Sequence, residues 1–417
     1  MIAPVLAGLI GLGATLGAPS TTGLASARSE VRVRSSQAGG AQASSAAPAL
    51  DIDTTGTVGL SFDWRPTRFS FVYAPRFVVN DVVGPQAARD FLQALDLLVA
   101  LQSRSYTLTL TNHVEYGYRR FTALDAAQID PQTQRPIVGV TPGPNSVQYA
   151  ATFVQAALRM SLTRRSDLLF TARYGLNGGV DEESRKTLPL LVGPRLDALW
   201  TYGLTRRDTT GVAVSGTWTR SVGEVQTGPG QTGPVNSGAL TVGQRWDRTW
   251  RRDLRSSLLV GIGLLYRPNH ELQPLPQGFA TLTRAFAGGA NHGALELSLA
   301  GGTSIDADPL TGQTRPNVRA TGQVAWTAYP YRAYVLGGAL KTLESAGTTT
   351  AGNAATVYMA DTGVSYAVLR PLVLELGVRL TDQKVDAPST ASAVAAANGF
   401  TYAAFFAVAW RPQLHTF

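Results

Sequence analysis

Apolar and polar residues alternate with a period of two along much of the chain. Val58, Leu60, Phe62 and Trp64, for example, occupy every second position of one segment. Successive side chains of a β-strand point to opposite faces, so this pattern predicts strands with one apolar face and one polar face. The clearest rows lie within residues 57–64, 106–118, 372–380 and 402–410.

Short and long connections alternate between the predicted strands. Short periplasmic turns and longer extracellular loops are the usual arrangement of an outer-membrane β-barrel. The predicted short turns are 65–68, 103–104, 163–166, 205–208, 251–253, 288–291, 329–332 and 369–371. The predicted long segments, rich in Gly, Pro, Thr and Asp, are 37–53, 80–94, 119–147, 178–188, 222–235, 267–276, 305–316, 345–353 and 384–397.

The connections determine the strand count. Eight short turns join sixteen strands, and one more strand, at about 398–411, follows the last long segment. The alternating stretch from Glu30 to Arg34 supplies its partner, which gives eighteen strands with both termini in the periplasm. We therefore predict an all-β fold, a transmembrane antiparallel up-and-down β-barrel of about 18 strands, in the bacterial outer membrane. Sixteen to twenty strands also fit, because 30–36, 95–102 and 277–286 carry the weakest pattern.

Composition excludes several other classes. Apolar residues make up 44% of the chain and charged residues only 15%, whereas a soluble domain carries about 25% charge. No run of eighteen apolar residues occurs, so transmembrane helices are not predicted. The chain has no cysteine, which excludes disulfides and thiolate metal sites. A soluble β-sandwich or propeller would also show short strands and turns, but it would not explain the alternation of short and long connections.

The N-terminus reads as a secretory signal. An apolar stretch is followed by small residues up to Ala25-Ser26-Ala27, which resembles a cleavage site. We therefore predict a signal peptide at 1–27 and the barrel at 28–417. No Lys or Arg precedes the apolar run, so a short apolar tail is the alternative.

Ionisable residues recur on the polar face of the predicted strands. An Arg that faces lipid near the bilayer midplane costs about 2–4 kcal/mol, so these side chains are expected to face the lumen. They are interpreted either as groups that solvate or select a polar solute, or as part of a wall that is polar only because it faces water. The lumen candidates are Glu30, Arg32, Arg34, His113, Glu115, Arg159, Arg173, Arg195, Asp197, Arg245, Asp247, Glu296, Arg319, Asp361, Glu375 and Arg379.

Arginine is concentrated at the predicted short turns. The net charge is +8, and the chain has only three lysines. A basic ring at the periplasmic mouth would attract an anionic polymer or an acidic periplasmic partner. The alternative, which we favour at this point, is a set of solvated turn residues near lipid headgroups. These turn arginines are Arg65, Arg68, Arg104, Arg164, Arg165, Arg206, Arg207, Arg251, Arg252, Arg332 and Arg370.

The C-terminal strand carries a predicted assembly signal. Outer-membrane barrels commonly end in an alternating aromatic strand that the barrel assembly machinery reads. Tyr402, Phe406, Val408 and Trp410 form such a row, whereas Phe417 is out of phase with it and lies beyond a proline. We therefore expect the row ending at Trp410 to act as the signal.

Motifs for catalysis or cofactor binding are lacking in the sequence. The only histidines are His113, His270, His292 and His415, and none lies in a motif with a nucleophilic serine. No phosphate-binding glycine loop or nucleic-acid pattern occurs. We expect no enzymatic activity, no cofactor, no metal and no nucleic-acid partner.

Several short segments resemble those of a known group of barrels. They are residues 29–33, the Gly/Ala/Ser-rich first loop, residues 71–76, and residues 104–110 followed by Tyr116-Gly117. In these and in its layout the chain resembles the eighteen-stranded outer-membrane barrels proposed for Wzy-type exopolysaccharide secretion in myxobacteria. The resemblance implies a terminal outer-membrane conduit for a surface polysaccharide, with a periplasmic polysaccharide-export protein as its partner. It carries over no functional residue.

The sequence leaves three functional hypotheses. The first is the polysaccharide-export conduit, whose partners would be outer-membrane lipid, the barrel assembly machinery, a periplasmic export protein and an anionic polysaccharide. The second is a general or substrate-specific diffusion porin. The third is a barrel with a structural or adhesion role.

Overall fold

The structure is a computed structural model. It describes residues 20–35, 48–64, 66–82, 88–119, 129–130, 135–136, 147–222, 225–228, 231–233, 236–266, 272–287, 293–307, 314–343, 354–386, 399–411 and 415–416. Arg65, most of the predicted signal peptide, the predicted turn at 288–291, His270, His292 and Phe417 lie outside these ranges.

Eighteen long strands form one antiparallel sheet. In chain order they are β1 (Ser20–Arg34), β2 (Ala49–Trp64), β3 (Thr67–Asn80), β4 (Ala88–Gln102), β5 (Tyr106–Arg119), β6 (Val147–Thr163), β7 (Ser166–Gly179), β8 (Leu190–Gly203), β9 (Asp208–Val222), β10 (Asn236–Arg251), β11 (Leu254–Tyr266), β12 (Leu272–Ala287), β13 (Ala294–Ala307), β14 (Thr314–Ala328), β15 (Tyr331–Thr342), β16 (Ala354–Leu369), β17 (Leu372–Asp386) and β18 (Gly399–Trp410). A short helix, α1 (Glu182–Thr187), lies between β7 and β8.

The sheet closes on itself as a barrel. Each strand pairs antiparallel with the next, and β1 pairs with β18 from Ala27↔Trp410 to Arg34↔Ala403. Beyond β18, the two residues His415–Thr416 pair with Gly23 and Thr22 of β1. The prediction of an eighteen-stranded up-and-down barrel is confirmed. Among the described residues, no helix is long and apolar enough to cross a membrane.

Several strands are longer than the sequence pattern predicts. Residues 49–53, 88–94, 272–276, 305–307, 314–316 and 384–386 were expected in long segments but belong to strands. The expectation was wrong because these parts are polar or contain proline, and polar residues on both faces hide the period of two. They lie at the end of the barrel away from the short turns, where a strand that continues past the bilayer faces water on both sides.

The first strand also differs from the prediction. It begins at Ser20 rather than near Glu30, and Ser20–Ala27 pair with Asp63–Gly56 of β2. These eight residues fall within the stretch that the sequence assigns to the signal peptide. Cleavage after Ala27 would leave seven residues of β1, fewer than the 9–11 that a membrane strand needs.

The outer face of the barrel is apolar. Val58, Val260, Ile262 and Leu376, for example, are 57–64% exposed although they are large and hydrophobic. Exposed aromatic residues gather at both ends of this surface, as they do at the two interfaces of a membrane barrel. Near the short turns they include Trp64, Tyr106, Trp200, Trp246, Trp250, Trp326, Tyr331, Tyr366 and Trp410; near the long connections they include Phe77, Tyr116, Tyr118, Tyr174, Trp218, Tyr358, Phe400 and Tyr402.

The membrane placement predicts how charge is tolerated on this face. Val260 lies midway along β11, and Leu272 lies at the long-connection end of β12. Val260→Arg should lower the free energy of unfolding from lipid vesicles by about 2–4 kcal/mol, and Leu272→Arg by about 0–1 kcal/mol. Equilibrium denaturation of the two variants in the same vesicles measures this, and equal losses would contradict the placement.

The pairing of Ser20–Ala27 with β2 makes a second prediction. The mature protein should retain these residues, because their loss would shorten the strand that closes the barrel. N-terminal sequencing of protein extracted from outer membranes tests this. A mature N-terminus at Arg28 would instead support the boundary that the sequence predicts.

Candidate functional site: the lumen and its arginine-rich mouth

The inner face of the barrel carries an ion-pair network at the closing strands. At its centre is Glu30 of β1, which is 1% exposed. Its carboxylate accepts hydrogen bonds from Nε and Nη2 of Arg32 at 2.9 and 2.8 Å, and Nη2 of Arg28 lies 2.9 Å from its other oxygen. Nη1 of Arg379 lies 3.7 Å away. We call the set Arg28, Glu30, Arg32, Asp361, Glu375 and Arg379 the closure network.

The closure network crosses a complete strand. Arg28 of β1 donates to Glu375 of β17 at 3.2 and 2.9 Å, although β18 lies between them. Residues opposite one another in a sheet point to the same face, and Ala407 stands between Glu30 and Glu375. Ala407 and Ala409 face the lumen but are at most 1% exposed. Small side chains on β18 therefore let the arginines reach across it, and the arginines cover them.

The network continues on both flanks. On one side, Arg379 donates to Asp361 of β16 at 2.9 Å. On the other side, Arg34 donates to Asp51, and Arg76 of β3 donates to Asp53. Most of the charge on this part of the wall is thus neutralised by a neighbour.

Aromatic rings on the inner face lie against glycines. The ring of Tyr334 covers Gly363 on the next strand, where an added Cβ would be 2.8–2.9 Å from the ring atoms. The ring of Phe405 covers Gly377 in the same way, and the guanidinium of Arg379 stacks on it 4.7 Å from the ring centre. Because the rings lie along the wall, they occupy little of the space inside the barrel.

A second cluster surrounds His113 of β5. Its Nδ1 lies 2.6 Å from Asp96 of β4, and its Nε2 lies 3.9 Å from Glu115. The imidazole stacks on Phe153 at 5.4 Å between ring centres, and Arg173 lies 4.0 Å from the centre of the same phenyl ring. The structure thus brings three predicted lumen residues together around one aromatic ring.

The remaining lumen candidates occupy separate places on the inner face. Arg195 pairs with Asp197 two residues along β8, and Arg245 pairs with Asp247 in the same way on β10. Arg159 contacts Asp167 near the short turns. Arg319 stacks 4.8 Å from the centre of the Phe279 ring, and Glu296 lies between Ala285 and Ala325.

Several residues of these clusters were not singled out from the sequence. Asp51 and Asp53 fall in a stretch that was predicted as loop, and Arg28 directly follows the predicted cleavage site. Their signal was the period of two: Arg28 is in phase with Glu30, and Asp51 and Asp53 are in phase with the polar row of β2. Among residues that the structure describes, no group of three or more His, Asp or Glu side chains has the arrangement of a metal site.

The connection between β7 and β8 packs inside the mouth at the long-connection end of the barrel. Asp181 caps α1 by accepting hydrogen bonds from the backbone N–H and the hydroxyl of Ser184 at 2.7 and 2.8 Å, which lowers the pKa of its carboxyl. After the helix, Leu188 is buried against Leu92 and Tyr149 of the inner face. This connection narrows the mouth on the β4–β6 side.

The turn arginines gather at one mouth of the barrel. All ten that the structure describes are exposed, and none forms a salt bridge with another described residue. Three acidic residues beside the turns, Asp167, Asp208 and Asp253, are paired with other arginines, namely Arg159, Arg248 and Arg284. A fourth, Asp63, stands opposite Arg68 in the β2–β3 ladder. This mouth is therefore strongly basic.

These features define the class of protein. In this closed barrel each of the eighteen antiparallel strands pairs with a neighbour on both sides, and the outer face is apolar between two aromatic girdles. Such a surface is stable only in a bilayer. The chain is an integral β-barrel of the bacterial outer membrane, and the turn arginines lie at the mouth formed by its short turns.

Comparison with models of protein families identifies the family to which this barrel belongs. The family that matches residues 15–271 is the EpsX exopolysaccharide export family. The match covers more than half of the chain, so the chain belongs to this family. The resemblance to exopolysaccharide-secretion barrels is thereby confirmed. No curated protein matches.

Solved structures of outer-membrane proteins are similar in outline. OpdL of Pseudomonas aeruginosa is 12% identical over 95% of this chain and 99% of its own, with a TM-score of 0.46. OccAB3 of Acinetobacter baumannii is 8% identical over 95% of this chain and 99% of its own, with a TM-score of 0.47. The FrpB iron transporter of Neisseria meningitidis is 7% identical over 90% of this chain and 63% of its own, with a TM-score of 0.49.

The burial of Glu30 makes a prediction about stability. Glu30→Gln removes the charge that three arginines share inside the wall, and breaking a buried pair costs about 3–5 kcal/mol. The control is Asp197→Asn, because the Asp197 side chain is 35% exposed to the lumen and such a pair contributes at most about 1 kcal/mol. Denaturant titration of the refolded barrel in vesicles should rank the two losses in this order; a smaller loss for Glu30→Gln would contradict the role of the closure network.

Proposed function

We propose that this barrel is the terminal outer-membrane conduit of an exopolysaccharide export system, and that the polymer it carries is anionic. The observation that carries the proposal is the unpaired basic charge at the short-turn mouth of a barrel from an exopolysaccharide export family; we take this mouth to face the periplasm, as short turns do in outer-membrane barrels. A ring of exposed arginines raises the local concentration of a polyanion and orients it toward the lumen. The barrel transports and performs no covalent chemistry.

The inner wall supports passage rather than tight binding. Conduction requires binding that is favourable enough for a solute to enter and weak enough for it to leave. Most inner arginines are already paired with a carboxylate or stacked on a ring, as Arg195 is with Asp197 and Arg379 with Phe405. A polyanion therefore meets a polar wall with little uncompensated charge.

Two protein partners belong to the proposal. One is a periplasmic polysaccharide-export protein that delivers the polymer to the arginine-rich mouth. The other is the barrel assembly machinery, which would read β18. Its outward row of Tyr402, Phe406, Val408 and Trp410 lies on the strand that pairs with both β17 and β1.

Deletion of the gene tests the export function. The deletion strain should lose a surface polysaccharide while its uptake of small solutes is unchanged, and expression of the intact chain should restore the polymer. Normal surface polymer in the deletion strain, together with steady ion conductance of the purified protein in planar bilayers, would favour a diffusion porin instead. Neither effect would favour a structural or adhesion role.

Substitution of the turn arginines tests the charge of the polymer. A variant with Arg206, Arg207, Arg251 and Arg252 changed to Gln removes four positive charges from two adjacent turns, and the same four positions changed to Lys keep them. We expect less surface polymer in the Gln variant and normal polymer in the Lys variant. Binding of polygalacturonate to the purified barrel should fall likewise, and should weaken with added salt because exposed charges are screened. Equal export and binding by both variants would contradict an electrostatic role.

A further inference from the structure

The extracellular end of the β13–β14 hairpin leaves the barrel wall. Strands β12 and β13 pair from Ala287↔Ala294 as far as Phe279↔Gly302. Beyond Gly302, β13 pairs only with β14, up to Ala307↔Thr314, and β12 continues to Leu272 paired only with β11. The edges of β12 and β13 therefore separate above Gly302. On the other side, Asn317 and Val318 of β14 stay paired with Thr342 and Lys341 of β15. We call residues 303–307 and 314–316 the inner hairpin.

The sequence of β12 explains why the two strands separate. The backbone N–H of Gly278 points toward β13 and donates to the Thr303 hydroxyl at 2.8 Å. In a strand, N–H groups at every second residue point to the same side, so residues 276 and 274 would donate toward β13 as well. Both are prolines and have no N–H. The upper edge of β12 thus lacks the donors that pairing with β13 requires.

Gly302 is the point at which the hairpin turns. Its φ is +157°, and a Cβ added there would lie 2.0 Å from the carbonyl oxygen of Gly278. Only glycine allows this backbone conformation together with such a close approach of the neighbouring strand.

The inner hairpin reaches a strand that is not its neighbour. The hydroxyls of Ser237 on β10 and Thr314 on β14 lie 2.8 Å apart, and the Thr314 N–H donates to Ser237 at 3.0 Å. Four strand spacings of about 4.8 Å separate β10 from β14 along the wall, far more than two short side chains can bridge. The hairpin must therefore cross the inside of the barrel mouth.

An apolar contact accompanies these hydrogen bonds. Ile305 of the inner hairpin is buried against Leu265 and Ala239 of β11 and β10. Its Cδ1 lies only 2.5 Å from the position that a Cβ on residue 263 would occupy, so Gly263 leaves room for it. The inner wall is thus shaped to receive this side chain, and the contact covers part of the extracellular mouth.

We propose that the inner hairpin is a hinged closure of the extracellular mouth, which swings about Gly302 toward the wall when solute passes. Its hold on β10 and β11 includes the Ile305 contact and the hydrogen bonds between Thr314 and Ser237, whereas neighbouring wall strands share ladders of eight or more residue pairs. Separation of the hairpin from β12 leaves little backbone unpaired, because Pro274 and Pro276 have no N–H to donate toward β13. The proposal concerns any solute and goes beyond the export function.

A reversible disulfide tests the closure. The chain has no cysteine, so S237C/T314C introduces the only pair, at positions whose hydroxyls are 2.8 Å apart. The purified variant should form the disulfide, and in planar bilayers the oxidised barrel should lose its open conductance and regain it after reduction. Failure of the disulfide to form, or equal conductance before and after reduction, would overturn the proposal.

The matched control joins two strands of the wall. T219C/S237C shares one position with the test variant and links residues that are directly opposite on β9 and β10. Its conductance should not depend on oxidation, and a loss equal to that of S237C/T314C would also overturn the proposal. A second variant, P274T/P276T, restores two donors on β12 and should raise the open fraction by drawing β13 back into the wall.

The two proposals fail in different ways. If the oxidised S237C/T314C barrel is closed in bilayers but the deletion strain keeps its surface polymer, the closure stands and the export function is wrong. If the conductance of S237C/T314C is the same in the oxidised and reduced states while the deletion strain loses its polymer, the export function stands and the hinge is wrong.

Discussion

The barrel depends on one pairing, that between its first and last strands. All other pairings join strands that follow one another in the chain, but the β1–β18 pairing joins strands from opposite ends of the chain. Their shared ladder spans eight residue pairs, fewer than most other neighbouring strands have. The closure network adds ion pairs over this seam, and because Glu30 is buried among three arginines, its charges are held where solvent screens them least.

The same seam shows how small residues position large ones. Alanines on β18 leave room for arginines from both sides, and glycines at 363 and 377 leave room for the rings of Tyr334 and Phe405. In each case a missing side chain on one strand lets a neighbour lie flat along the wall. Polar and aromatic groups can therefore line the inside without filling it, which a conduit for a polymer requires.

Local periodicity made most of the fold predictable from the sequence. The inward phase of residues such as Glu375 and Arg379 comes from the period of two, because phase within a strand determines the face. The strand number comes from the alternation of short and long connections. Partners across strands could not be predicted. The hydrogen bond from Arg28 to Glu375 depends on the register of strands that are 347 residues apart. The hydrogen bond from Arg76 to Asp53 depends on the residue at which β2 begins. Strand ends were the weakest predictions, since polar residues beyond the bilayer resemble a loop.

The inner hairpin was not predicted for a related reason. Pro274 and Pro276 were interpreted as part of a loop, yet they belong to a strand and act on its neighbour by withholding donors. Such an effect is visible only once it is known which edge of the strand faces β13.

The alanines of β18 have a consequence for how the sequence can change in evolution. A larger residue at Ala407 would displace the Arg28–Glu375 bridge, and loss of that bridge would leave the alanine facing open water. We expect the three positions to vary together among homologues, as a unit formed by residues from both ends of the chain. Covariation between the termini would then record how this barrel closes.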